Sequence, residues 1–299
     1  MKVLVTGANG LLGQHLIKLL IDNNYQVVAT SRGESRLPFE PSANYIYHSM
    51  DITNDMQTFA VMNTEKPDVV VHAAAMTQVD ECELRPQQCE QINVHGTSQI
   101  LTDAETFSSH FIYISTDFVF DGEKGNYSEE DETRPISLYG FTKMQAEAMV
   151  QTSDIPFAIV RTCLVYGNML LGTRSNIISW VKESLEQGKN IKVVTDQWRT
   201  PTYVEDLAKG ILLIIQQKAE GIFHISGKDW LSPYDIALKT AARFDLDSTK
   251  IEKVDASTFK QPGRRPLKTG FVIEKARKEL GYEPISFDEA LNKMYGLMA

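Results

Sequence analysis

The chain has 299 residues, 42% of them hydrophobic and 23% charged, with a formal net charge of -9. That length buries a large core and suits one big domain or two intimate lobes. The acidic balance argues against general nucleic-acid binding, which relies on a basic field. Mean hydropathy is -0.23, and no apolar run approaches the roughly 20 residues of a membrane helix, so no membrane partner is expected.

The first predicted strand, 2–6, runs into Thr6-Gly7-Ala8-Asn9-Gly10-Leu11-Leu12-Gly13 and a helix over 12–22. A strand that turns through glycines into a helix is a phosphate-binding device. Gly7 allows the tight turn, Gly10 lets a pyrophosphate approach the backbone, and Gly13 lets the helix pack on the strand. Free amides at the helix N-terminus then face the anion. The spacing is Gly-x-x-Gly-x-x-Gly, and a glycine turn with no ligand reads the same way in isolation. With a core strand at the start, no signal peptide is expected.

The second strand, 26–30, leads into Ser31-Arg32-Gly33. The acidic residue that would bind a free ribose 2′-OH is missing there, while Ser31 and Arg32 suit a 2′-phosphate. NADP(H) is therefore expected over NAD(H). Alternatively Arg32 is a solvated loop residue and both cofactors serve. A strand at 45–48 precedes Asp51-Ile52 and a helix at 56–63. The apolar strand 68–72 ends in His72-Ala73-Ala74-Ala75. A helical pattern over 86–107 contains Asn93. Cys82, Cys89 and Cys163 have no metal-binding spacing and read as free thiols of a reducing, cytoplasmic compartment.

The strand 111–115 ends in Ser115-Thr116-Asp117, and the helix 139–152 begins Tyr139-Gly140-Phe141-Thr142-Lys143. Tyr and Lys four apart share one helix face. A phenol of reference pKa near 10 is a poor acid or base at neutral pH, and an ammonium one turn away is expected to lower it. A hydroxyl at the strand end can hold the carbonyl oxygen that the phenol protonates. Each element also has a bland reading, as a surface pair and a loop cap.

A strand follows at 157–161. Strand–helix alternation with continuously apolar strands implies an α/β fold: a Rossmann-type doubly wound parallel sheet covered by helices on both faces. Beyond 166 come a helix at 177–187, a strand at 191–194, a turn at 196–202, a helix at 204–217, a strand at 223–225 and a helix at 233–244. A loop at 261–268 and helices at 274–280 and 287–297 close the chain. The expected layout is a dinucleotide-binding lobe over 1–166, with a returning segment at 202–222. A smaller C-terminal substrate-binding lobe takes 167–201 and 223–299. His224 reads as a core histidine.

In this order and spacing, the glycine turn, Asp51-Ile52, His72–Ala75, Asn93, Ser115-Thr116-Asp117 and Tyr139-x-x-x-Lys143 resemble the extended short-chain dehydrogenase/reductase family over essentially the whole chain. Segments 73–80, 115–122, 196–202 and 264–266 are most similar to its dTDP-4-dehydrorhamnose reductase branch. The resemblance implies an NADPH-dependent reductase of a nucleotide-linked 4-keto-sugar, with Thr116, Tyr139 and Lys143 as the catalytic group. It implies that Gly7, Asn9, Gly10, Leu11, Leu12 and Gly13 meet the pyrophosphate, and Asp51 and Ile52 the adenine. Ala73, Ala74 and Ala75 would line the pyrophosphate and ribose, with His72 counted beside them among the cofactor-binding residues in a structural or backbone-binding role rather than as an acid or base. Asn93 would hold the local backbone or a water rather than substrate.

Thr77, Asp117, Phe118, Leu164, Asn176 and Trp198 are the expected substrate neighbours, with Arg199, Arg264 and Arg265 as phosphate ligands or, equally, ion-paired surface residues. Phe118 follows Asp117 where dehydratases of the superfamily carry a Glu base, so dehydration is disfavoured. At Phe118, Leu164 and Trp198-Arg199 the chain departs from the branch, which leaves the sugar open. No metal site is carried over. The alternatives are a sugar-nucleotide epimerase, another carbonyl reductase, or a non-catalytic NADP-bound regulatory subunit. A homodimer remains the open oligomeric state.

Overall fold

The computed structural model describes residues 1–173 and 175–296. β1 (Lys2–Thr6) leads through the glycine turn into α1 (Leu11–Asp22), then β2 (Gln26–Ser31), β3 (Tyr45–Ser49), α2 (Asp55–Glu65) and β4 (Val69–His72). Two short helices follow, α3 (Val79–Leu84) and α4 (Pro86–Glu90), then a π-helical turn Gln91–His95 and α5 (Gly96–Thr106). β5 (His110–Thr116), α6 (Leu138–Gln151) and β6 (Phe157–Thr162) follow. Beyond β6 lie β7 (Val165–Tyr166), α7 (Ile177–Glu186), β8 (Ile191–Val194), β9 (Thr202–Tyr203), α8 (Val204–Gln217), β10 (Gly221–His224), α9 (Pro233–Arg243), β11 (Ile251–Val254), α10 (Glu274–Leu280) and α11 (Phe287–Tyr295).

Seven strands form one parallel sheet in the order β10-β6-β5-β4-β1-β2-β3. Successive side chains enter opposite cores. Val3, Val5, Val27 and Val71 pack with Leu16 and Ile17 of α1 and Leu207 and Ile211 of α8. Leu4, Val28, Val70 and Phe111 pack with Met62 of α2, Ile100 of α5 and Ala146 of α6. Burial on both faces is why these strands read as unbroken apolar runs. The connections run outward from β1 to β3 and then in the other direction from β4, so the strand order reverses between β1 and β4. Ligands of such sheets bind at the carboxyl ends of the strands beside that reversal.

Local chemistry sets the helix starts. Asn54 accepts from Gln57 N–H to begin α2, and Ser137 accepts from Gly140 N–H to begin α6. Ser232 and Ser286 form capping boxes with Asp235 and Glu289. Two small parallel sheets, β8–β11 and β7–β9, lie outside the main one.

Several elements differ from the sequence expectation. The single helix expected over 86–107 is broken at Gln91–His95, and α3 precedes it. Pro86 starts α4 instead of continuing a helix, because its ring fixes φ and removes the donor. The strand expected at 223–225 begins at Gly221 and pairs with β6, so Phe223 and His224 join the main sheet rather than the second lobe. The last helix ends at Tyr295, and the expected end at Leu297 lies outside the described residues. Among the described residues no helix is long and apolar enough to cross a membrane.

Candidate active site

The carboxyl ends of β1, β2, β4 and β5 open onto one cleft of about 740 Å³. The glycine turn forms its floor. Gly7 has φ +69°, and a Cβ there would stand 2.9 Å from the Ala74 nitrogen. A Cβ on Gly13 would stand 2.5 Å from the Gly7 carbonyl oxygen, so α1 rests directly on the turn. Gly10 needs no left-handed backbone: it is the N-cap of α1 at φ -79°. Its added Cβ would meet only the Gly7 oxygen, at 3.1 Å, so its remaining side is open. The cradle therefore fits a pyrophosphate against backbone, with the α1 amides facing it.

Most of the expected site residues line this cleft. Asn9, Leu11, Leu12, Ser31, Arg32, Asp51, Ile52, Ala73, Ala74, Ala75 and Thr77 do so, as do Thr116, Asp117, Phe118, Tyr139, Lys143 and Leu164. Sequence reasoning missed Arg36, which also lines it. Its backbone N–H donates to Asn9 Oδ1 at 2.7 Å and its carbonyl accepts from Gln14 Nε2 at 3.0 Å. A loop arginine beyond a strand end carries no local signal; Asn9 and Gln14 bring it to the cleft.

His72 is a correction. It does not line the cleft but lies buried between two threonines, with Nδ1 2.9 Å from Thr6 Oγ1 and Nε2 3.1 Å from Thr97 Oγ1. Thr6 Oγ1 accepts the Ala73 and Ala74 N–H groups at 3.1 Å each, so its proton goes to Nδ1. Burial holds the His72 pKa down to about 3, which keeps the ring neutral. His72 thus shapes the alanine wall through Thr6. Asn93 is likewise behind the wall: it accepts Met76 N–H at 2.8 Å and donates to the Met76 carbonyl at 3.0 Å. Asn93 was also expected among the cofactor-binding residues; it stands outside the cleft lining and holds the backbone instead.

Tyr139 and Lys143 project from the first turns of α6 toward Thr116 at the end of β5. The Tyr139 ring is 8% exposed and meets Phe118 edge-on, centroids 5.8 Å apart. Burial raises its pKa above the ordinary phenol value; the Thr116 hydroxyl opposes this and Asp117 adds to it. Burial lowers Lys143 to about 7, against the pull of Glu147 one turn further along. Its Nζ donates to the Ile114 carbonyl at 2.7 Å and sits 4.1 Å above the Tyr113 ring. The expected lowering of Tyr139 by Lys143 is therefore reversed. Both groups are desolvated, and desolvation favours the neutral form of each.

Beneath them Glu147 and Arg161 form a buried pair at 2.7 Å, and Ser115 Oγ donates to Glu147 at 2.5 Å.

The expected phosphate ligands divide. Arg199 is buried and donates to the carbonyls of Trp198, Leu267 and Pro266 at 2.8, 3.0 and 2.6 Å. Arg265 pairs with both oxygens of Asp80 at 2.9 and 2.7 Å. Neither lines the cleft, because each guanidinium is taken by partners distant in sequence. Arg264 is exposed and also lies outside the cleft lining. Asn176 is a second correction. Its Oδ1 caps α7 through Ile178 and Ser179 N–H, and its Nδ2 donates to the Gly167 carbonyl at 3.2 Å. It lines a smaller cavity of about 150 Å³ that shares Leu11, Leu164 and Val165 with the cleft. Trp198 is outside the cleft lining and stacks on Trp230, centroids 6.1 Å apart. Leu164, at φ +39°, stays exposed at the rim. His224 is fully buried with Nδ1 3.0 Å from the Tyr127 carbonyl.

A family model described as RmlD substrate binding domain matches residues 1–299. A dTDP-4-dehydrorhamnose reductase of Aggregatibacter actinomycetemcomitans is 31% identical, with 98% of each chain covered. The crystal structure of a dTDP-4-dehydrorhamnose reductase from Clostridium acetobutylicum superposes with a TM-score of 0.87 at 32% identity, covering 98% of each chain. A dTDP-4-dehydrorhamnose reductase from Bacillus anthracis, solved in complex with NADP, gives 0.85 at 27% identity, again with 98% of each chain covered.

Proposed function

Because the chain belongs to the RmlD substrate-binding-domain family, we propose that it is an NADPH-dependent reductase of a nucleotide-linked 4-keto-sugar, of the dTDP-4-dehydrorhamnose reductase kind. The observation that carries this reading is one cleft lined by the glycine turn, Thr116, Tyr139 and Lys143 together.

When bound, NADPH supplies the hydride that reduces the C4 ketone. The turn Gly7–Gly13 and the α1 amides hold its pyrophosphate, and Asp51 and Ile52 its adenine. Ser31, Arg32 and Arg36 hold the 2′-phosphate, which an arginine pairs bidentately. Lys143 holds the ribose hydroxyls. Thr116 and Tyr139 bond the ketone oxygen, and Tyr139 gives it the proton. Burial keeps Tyr139 in its proton-bearing form, the form from which a donor to the developing oxyanion must start. Phe118 offers no base, which favours reduction over dehydration. Thr77, Asp117, Phe118 and Leu164 remain the sugar's neighbours, and Arg264 stays the candidate for its phosphates.

The lobe division belongs to the same proposal: 1–166 with 202–224 for the cofactor, the rest for the substrate. So do a cytoplasmic location and a homodimer, the latter read by sedimentation equilibrium.

Purified protein mixed with NADPH and a panel of nucleotide-linked 4-keto-sugars tests the reading. Rapid NADPH oxidation with one of them supports it. Tight NADP binding without turnover would instead point to a regulatory subunit, and NAD retained through purification to an epimerase.

A further inference from the structure

Asp117 ties Thr116 to segments distant in sequence. It is 2% exposed, and its Oδ1 accepts the Thr116 hydroxyl at 3.2 Å. Its Oδ2 accepts the Thr269 hydroxyl and the Cys163 thiol, the latter at 3.3 Å, and lies 3.4 Å from Arg199 Nε. These donors come from separate segments: the end of β5, the residue after β6, the 196–202 turn and the 261–269 loop. Arg199 in turn grips the Pro266 and Leu267 carbonyls, and Thr269 N–H donates to the Trp198 carbonyl at 3.0 Å. One buried carboxylate thus joins the 196–202 turn and the 261–269 loop to the cleft wall. Thr116 Oγ1 has a second task, accepting Phe118 N–H at 3.3 Å. Its rotamer is fixed by Asp117 on one side and the Phe118 amide on the other.

We propose that Asp117 is a positioning residue: Thr269 and Arg199 of the second lobe hold Oδ2, and Oδ1 thereby fixes the rotamer of Thr116, whose single hydroxyl proton turns from Oδ1 to the ketone oxygen when substrate arrives. Docking of the 261–269 loop and alignment of the active-site hydroxyl become one event. This rests on the reductase reading for its catalytic consequence, but the geometric link is independent of it. Thr269 is outside the cleft lining, so removing its hydroxyl leaves the cleft wall itself intact.

The test uses the full chain with Thr269→Val, Thr269→Ser, Asp117→Asn, Thr116→Val and the double variant Thr116→Val/Asp117→Asn. Thr269→Val is expected to lower kcat on the active keto-sugar roughly tenfold, with NADPH affinity within about twofold, and Thr269→Ser to restore it. Asp117→Asn is expected to cost kcat in the unaltered background and nothing further in Thr116→Val. Amide exchange at Phe118 is expected to quicken about tenfold in Thr269→Val and Asp117→Asn, with the β1 amides unchanged. Two results overturn the proposal: Phe118 exchange in Thr269→Val equal to that of the unaltered protein, or the same kcat cost of Asp117→Asn with and without Thr116. If the unaltered protein reduces no keto-sugar, the reductase reading fails, and Phe118 exchange alone decides the link.

Discussion

Lys143 donates through Nζ to the Ile114 carbonyl at 2.7 Å. The amine is thereby fixed inside the cleft wall, beside the β5 end that carries Thr116. Burial costs the charged form most, and the pKa falls to about 7.

That depression makes stability depend on pH. The folded Lys143 loses its proton near pH 7, the unfolded one near its ordinary 10.5. Between these values the unfolded chain binds more protons, so the Lys143 contribution to stability rises with pH. Urea midpoints measured from pH 7 to 10 are expected to rise more steeply in the unaltered protein than in Lys143→Met. Equal slopes would show that Lys143 keeps an ordinary pKa.

Tyr139→Phe removes the proton donor and little else, because the ring packs against Phe118 and is otherwise buried. The expected loss in kcat is at least about 10²-fold, with NADPH affinity nearly unchanged. Near-normal turnover would take the proton step away from Tyr139.

Arg32 and Arg36 both line the cleft beyond β2. A charge-assisted bond to a 2′-phosphate is worth roughly 1.5–3 kcal/mol. Either alanine substitution is expected to lower the NADPH-over-NADH ratio of kcat/KM about tenfold or more. The fold should tolerate Arg36→Ala, since Asn9 and Gln14 hold only its backbone. An unaltered ratio in Arg36→Ala would restrict phosphate recognition to Ser31 and Arg32.

Gly13→Ala drives a methyl into backbone, 2.5 Å from the Gly7 oxygen and 2.6 Å from the Ala8 oxygen. Overpacking of this kind costs about 1–3 kcal/mol. Moving α1 off the turn should also weaken NADPH binding. Gly33→Ala is the comparison: it is strained by φ +73° but meets no atom within 4 Å. Denaturation midpoints and NADPH fluorescence titration read both effects. Intact NADPH binding by Gly13→Ala would show that the turn can widen without losing its cradle.

What local chemistry controls was legible along the chain. Continuously apolar strands alternating with helices specified the parallel sheet, as in Val69–His72 with its four buried residues. Glycines at a strand-to-helix turn specified the cradle, and helical spacing put Tyr139 and Lys143 on one face. Tertiary structure decided everything that depends on partners far along the chain. Arg265 pairs with Asp80, 185 residues away, and Arg199 with the 266–267 carbonyls, and neither lines the cleft. Asn176 became a cap, and Arg36 entered the cleft through contacts to α1 and its preceding turn. The same holds for the proton affinities: spacing placed an amine near a phenol, but burial, a property of the packed fold, set the direction in which each one shifts.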